Sequence, residues 1–208
     1  MIYFEHQPRG LIPWPHTPTC NPLSERSPAM IYDITQELFT GAVYPGDMRP
    51  EYHRLKSFDN GDTSTVTVFT MNVHAATHID APIHRVKGGK GIDEIPLDAC
   101  VGQAEVISYG NVKQLAASTS KRILFKDCEQ IDEDTARLMV EKNVIFVGAE
   151  GQSIGNREVH RILLENEIVV LEGVRLSEVP EGEYMMYAAP VKLGGCDGAP
   201  CRAILMTL

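Results

Sequence analysis

The sequence predicts a single α/β domain with a mixed sheet and βαβ units. Three observations predict it. Short apolar runs at 103–109, 122–125, 144–148 and 168–171 alternate, from the second of them on, with amphipathic segments that begin at Asp or Asn. The later runs are apolar at nearly every position, which is the pattern of parallel strands covered on both faces by crossover helices. The earlier stretch 64–73 is rich in threonine, valine and phenylalanine instead, so the sheet is mixed rather than purely parallel. The chain's 208 residues are enough for one domain with a substantial core.

Taken in order, residues 1–29 stand apart, with six prolines and little periodicity. Such a segment forms neither a helix nor a central strand. It reads as an arm lying over the body or over a second subunit, dispensable for the chemistry. From residue 30 the chain takes on α/β habits. Pro45-Gly46-Asp47 marks a turn. The run 64–73 is a strand that delivers the following histidine-rich stretch at its end. Gly88-Gly89-Lys90-Gly91 is a flexible loop; no Ser or Thr follows its lysine, so a phosphate cradle is disfavoured. After strands at 103–109 and 122–125, Asp132 caps a helix that runs to about Lys142, with Ala136, Met139 and Val140 on one face and Asn143 at its end. A strand at 144–148 leads to a second helix capped by Asn156. Its Val159, Ile162 and Leu163 face a core, and Asn166 closes it. Strands at 168–171, 184–189 and 203–208 complete the reading.

Composition narrows the function. A net charge of −9 argues against nucleic acid as a partner. No apolar run reaches the roughly eighteen residues of a membrane span, and no signal peptide is evident. The five scattered cysteines fit reduced thiols better than a disulfide framework. The expectation is a cytoplasmic protein that acts on a small molecule.

The chemistry concentrates in His74-Ala75-Ala76-Thr77-His78-Ile79-Asp80-Ala81-Pro82-Ile83-His84, which holds three of the chain's seven histidines. Imidazole nitrogen and carboxylate oxygen are the donors that divalent zinc, manganese, iron or nickel accept. This stretch reads as a metal site with His74, His78 and Asp80 as ligands and His84 held nearby. Further along, His160 and Leu164 share an inward helix face, and Glu172 ends an apolar strand. If buried, Glu172 needs a cation beside it, because an unpaired buried charge costs several kcal/mol. Helix and strand form one hairpin, so His160 and Glu172 are able to meet at one edge. Asp47, Glu150 and Asp197 read as turn or surface groups.

The quoted stretch resembles the H-x-G-T-H-x-D-x-P-x-H signature of the cyclase-like metal-dependent hydrolase family, which contains bacterial kynurenine formamidase. Asp33-Ile34, Pro45-Gly46-Asp47, the segments 91–98 and 102–107, and Asp197-Gly198-Ala199-Pro200 with Arg202-Ala203 are similar as well. The resemblance runs from about Met30 to the C-terminus. It implies a swivelling β/β/α-type fold and a homodimer or homotetramer. It also implies ligation of one or two zinc or manganese ions by His74, His78 and Asp80, with His160 and Glu172 completing the site. His84 corresponds to the family's acid–base histidine, and Glu172 is able to share that role. Two departures stand out: Ala76 replaces the motif's glycine, and Glu150-Gly151-Gln152-Ser153-Ile154-Gly155 replaces a stretch that carries aspartates in many members.

The reaction expected is attack of activated water on an amide or formamide carbonyl, with His84 protonating the leaving nitrogen. N-formylkynurenine and cyclic amides such as isatin are the candidate substrates, with Trp14, Tyr44, Phe58 and Phe69 available to stack on an aryl group. The rivals are a metal-dependent lyase or cyclase and a non-catalytic metal- or ligand-binding relative.

Overall fold

A computed structural model describes residues 29–208. The proline-rich arm, and Trp14 with it, lies outside the described residues except for position 29. The chain opens with β1 (Ile31–Asp33), then β2 (Glu51–Lys56), β3 (Val66–Thr70) and the very short β4 (His78–Asp80). Next, α1 (Leu97–Cys100) runs directly into β5 (Val101–Ser108). A regular alternation follows: α2 (Val112–Ala117), β6 (Arg122–Lys126), α3 (Glu133–Glu141), β7 (Phe146–Ala149), α4 (Arg157–Glu165) and β8 (Val169–Glu172). The end of the chain adds β9 (Gly182–Tyr187), β10 (Gly198–Pro200) and β11 (Ile204–Thr207).

Nine of these strands form one sheet in the order β1-β11-β9-β5-β6-β7-β8-β4-β10. The central β5-β6-β7-β8 pairs are parallel. Every flanking pair is antiparallel. The sheet is therefore mixed and carries βαβ units at its centre, as the sequence predicts.

The central strands alternate between two cores. Ile123, Phe125, Val147 and Val170 pack against Met139, Val159 and Leu163 of α3 and α4. Leu124, Phe146, Val169 and Leu171 face the other way and join Ile79, Ala199, Met186 and Leu205. That second cluster gathers side chains from both ends of the sheet, so the sheet curls around it. Local signals place the helices. The Asp132 carboxylate accepts Thr135 N–H at 2.7 Å, and Asn156 accepts both Glu158 and Val159 N–H. Each such cap is worth about 1 kcal/mol. Asn143 ends α3 in the left-handed region at φ 53°.

One expectation fails. The strand predicted at 64–73 is present as β3, but it does not belong to the main sheet and does not deliver the histidines. It pairs only with β2, in a separate ribbon whose strand residues are all exposed. The histidine stretch supplies its own strand, β4, which is buried throughout and sits between β8 and β10. Alternating β-branched residues specify extended backbone but not the strand they pair with.

Candidate metal centre

The centre is built where β4 crosses β8. Antiparallel register sets His78 opposite Glu172. The two-residue period of a strand then puts His78 and Asp80 on one face. On β4's other side, Gly198 lies opposite Asp80, and the His74 ring packs where a side chain would be. A Cβ at Gly198 would come within 2.9 Å of His74 Cε1. Pro82 opens a tight turn that brings His84 back over the strand. His160 reaches in from α4. These residues come from separate parts of the fold, and the pairing of β4 with β8 brings Glu172 beside the histidine stretch.

Most polar atoms in the centre face a partner of opposite kind. His74 Nδ1 lies 2.8 Å from Asp80 Oδ1, and its Nε2 lies 3.0 Å from Asp197 Oδ2. His160 Nδ1–H donates to the Asn156 carbonyl at 3.0 Å, which leaves Nε2 directed at Glu172 Oε1 at 3.0 Å and near Asp80 Oδ2 at 3.6 Å. Glu172 Oε1 also accepts Ile154 N–H at 2.7 Å. His78 Nδ1–H donates to the Ala76 carbonyl at 3.0 Å. His78 Nε2 then faces Glu172 Oε2 at 3.2 Å and Asp80 Oδ1 at 3.4 Å.

Among the described residues, His78 Nε2, Asp80 Oδ2 and Gln152 Oε1 are buried and make no hydrogen bond, the first two of them inside the centre. Orphaned buried polar atoms are rare and costly, and a cation between those two satisfies both. Among the described residues three donor groups lie close enough to hold one: His74, His78 and Asp80; Asp80, His160 and Glu172; and, nearer the surface, His74, His84 and Asp197, with Asp80 common to the first two. The nitrogen and carboxylate donors suit a divalent ion. The sequence-predicted ligands and His84 are therefore all brought together.

The electrostatics divide the histidines. Burial opposes charge on His78, but Asp80 and Glu172 outweigh it and push its pKa up to about 10. His74 and His160 are also raised against burial, by Asp80 and by Glu172 respectively. Burial and the mutual repulsion of the carboxylates oppose ionisation of Asp80 and Glu172, yet the surrounding imidazoles hold both below the ordinary carboxylate range. His84 goes the other way: burial lowers it, and the nearby Asp80 charge only partly offsets that. Among the centre's histidines, His84 is the one held below its ordinary value.

Sequence reasoning missed Asp197. It is not a turn or surface bystander, because its Oδ2 lies 3.3 Å from His84 Nδ1 as well as 3.0 Å from His74 Nε2. A cleft of about 260 Å³ opens over the centre, and Tyr44, Asp47, Asn72, Arg85 and Gln152 line its outer part. Asp47 thus also belongs to the site, and Tyr44 is the candidate aromatic that lines it. Phe58 and Phe69 do not line this cleft. Glu150 has a scaffolding role and accepts Leu176 and Asp127 N–H.

A buried histidine–carboxylate cluster beneath a small cleft, on a curled mixed sheet, defines the class of the protein as an enzyme with a metal-type hydrolytic centre. Comparison with known proteins gives the family. The model of the Cyclase family, described as "Putative cyclase", matches residues 32–130. The kynurenine formamidase of Salinibacter ruber is 32% identical over 193 residues, covering 79% of this chain and 91% of that protein. The kynurenine formamidase of Erythrobacter litoralis is 29% identical, covering 89% and 97%. A solved structure described as a predicted metal-dependent hydrolase from Bacillus stearothermophilus is 29% identical, covers 86% of this chain and 98% of its own, and superposes with a TM-score of 0.74. Isatin hydrolase A from Labrenzia aggregata, 21% identical with a TM-score of 0.71, shares the fold. The chain belongs to the cyclase family of hydrolases.

Proposed function

We propose that this protein is a metal-dependent hydrolase that cleaves the C–N bond of a small formamide or amide, with N-formylkynurenine or a close analogue as substrate. The observation that carries this reading is the pair of orphaned atoms, His78 Nε2 and Asp80 Oδ2, buried among the donors of His74, His160 and Glu172. His74, His78, Asp80, His160 and Glu172 would hold one or two zinc or manganese ions. A divalent cation there supplies Lewis-acid polarisation of the carbonyl and a lowered pKa for water.

The chain's own residues do the rest. Asp197 accepts His84 Nδ1–H, which fixes the tautomer and leaves His84 Nε2 as a free base beside the cleft. With its pKa held down by burial, His84 is suited to take the proton of the attacking water and deliver it to the departing nitrogen, which leaves poorly as an anion. Glu172, with one oxygen bonded to Ile154 and His160, serves to hold charge more than to move protons.

Arg85 is the one permanently charged cation among the residues lining the cleft, and Asp47 lies at the same mouth. Together they match the carboxylate and ammonium of an α-amino acid, which N-formylkynurenine carries and isatin lacks. The exposed β2–β3 ribbon supports a homodimer or homotetramer, since Leu55, Phe58 and Phe69 are each more than half exposed. No helix among the described residues is long and apolar enough to cross a membrane. The unpaired Cys100, Cys128, Cys196 and Cys201 fit a cytoplasmic location.

The test is kynurenine release from N-formylkynurenine by purified protein, with bound metals quantified in the same sample. Release that stops on chelation and returns with zinc or manganese is expected. Metal bound without release would move the substrate to cyclic amides or other small carbonyl compounds, and failure to bind metal would end the hydrolase reading.

A further inference from the structure

We propose that Gln152 is a positioning residue that clamps a strained alanine turn and thereby sets the metal affinity of the centre. The turn is Ala75-Ala76-Thr77, between His74 and His78. Ala76 sits in the left-handed region at φ 56°, where a Cβ costs on the order of 1 kcal/mol relative to glycine. It is buried, and its Cβ packs over Gly41, where a second Cβ would meet it at 2.8 Å. Gly41 thus makes room for the methyl group but does nothing for the backbone strain.

Gln152 acts on the backbone. Its Nε2 donates to the His74 carbonyl and to the Ala76 carbonyl, both at 2.9 Å. These two bonds tie the turn's entrance to its middle. The Ala76 oxygen also accepts His78 Nδ1–H at 3.0 Å. The 3.4 Å approach of Gln152 Nε2 to His78 Nδ1 is therefore two donors converging on one oxygen. The orientation of the amide follows, because a flipped Gln152 would put its oxygen against two carbonyls; as it stands, its Oε1 is buried without a hydrogen-bond partner. Through the Ala76 carbonyl, Gln152 fixes both the position of the His78 ring and the tautomer that leaves Nε2 facing Asp80 and Glu172. Ala76 N–H is held from the other side by the Ala42 carbonyl at 2.8 Å.

The inference rests on His74 and His78 being metal ligands, and the experiment separates the two ideas. Gln152→Met keeps the length of the side chain and removes its donor. Zinc affinity is measured by chelator competition on wild type, Q152M, A76G and the double variant. Q152M is expected to bind zinc about 10–100-fold more weakly than wild type, the usual effect of losing an outer hydrogen bond to a ligand. In the A76G background, where glycine adopts the turn unaided, the same substitution is expected to cost less than about threefold. Wild type that binds no zinc overturns the ligand reading itself. Zinc bound equally by Q152M and wild type, or an equal loss in both backgrounds, overturns the clamp while leaving the ligands intact. Should Q152M not fold, Gln152→Asn, which is too short to reach both carbonyls, goes through the same cycle with the same two outcomes.

Discussion

Two strands of this protein reverse the ordinary rule of burial. β4 is His-Ile-Asp, and all three residues are buried. β3 is Val-Thr-Val-Phe-Thr, and all five are exposed. The polar strand sits inside the main sheet, while the apolar one stands on a two-stranded ribbon. A buried polar group or an exposed apolar patch is more informative than its opposite. Each reversal is costly in an isolated chain, and the proposed function relieves each from outside it: a cation would satisfy β4, and a second copy of the chain would cover β3.

The largest expected effect tests the β4 half. Asp80→Asn keeps the shape of the side chain but removes the charge shared by the two donor groups that meet at β4. Metal content and activity should be lost together. Full metal occupancy by elemental analysis would remove Asp80 from the ligand set. Next in size is His84→Gln. His84 lies beside the centre, so this variant should keep its metal and lose about 10²–10⁴-fold in kcat, the usual contribution of a general acid–base group. Turnover close to wild type would take His84 out of the mechanism. A smaller effect belongs to the mouth of the cleft. Arg85→Ala should raise KM for N-formylkynurenine by about 10-fold or more with kcat little changed, and leave KM for an uncharged formanilide unmoved. Equal effects on both substrates would contradict recognition of a carboxylate.

The β3 half predicts a change in assembly rather than chemistry. Phe69→Asp puts a charge on the ribbon, beside Phe39 and in line with the Tyr52–Phe39 contact. Light scattering should show a smaller species that keeps its fold by circular dichroism. An unchanged mass would show that the ribbon's apolar face is not the contact between copies.

These two strands also mark the limits of what the sequence discloses. The helices α3 and α4 were legible because Asp132 and Asn156 act on backbone groups two or three residues away. The metal motif was legible because its donors lie close together in the chain. Asp197 was not, since it meets His84 and His74 across 113 and 123 residues, and Asp-Gly reads locally as a turn. The partner of β3 was equally hidden, because strand pairing is non-local. Ala76 is an intermediate case: its departure from the motif's glycine was visible in the sequence, but only the structure shows that the position has a φ of 56°, which favours glycine.

The smallest effect is a pH dependence of the metal-free protein, and it sharpens the contrast between the strands. Without a cation, the His78 proton is what holds the Asp80 and Glu172 carboxylates together. A histidine whose pKa is raised on folding stabilises the fold fully below its unfolded value near 6.5, and loses that contribution as pH rises through the folded value of about 10. Chelated wild type should therefore melt at progressively lower temperature from pH 7 to pH 10. His78→Gln should show a shallower decline, because it has no such proton to lose. The metal-loaded protein should lack this component, since the cation takes the proton's place. Parallel declines for the chelated wild type and the variant would show that the His78 proton does not hold the empty centre together, and that the polar strand relies on its packing alone.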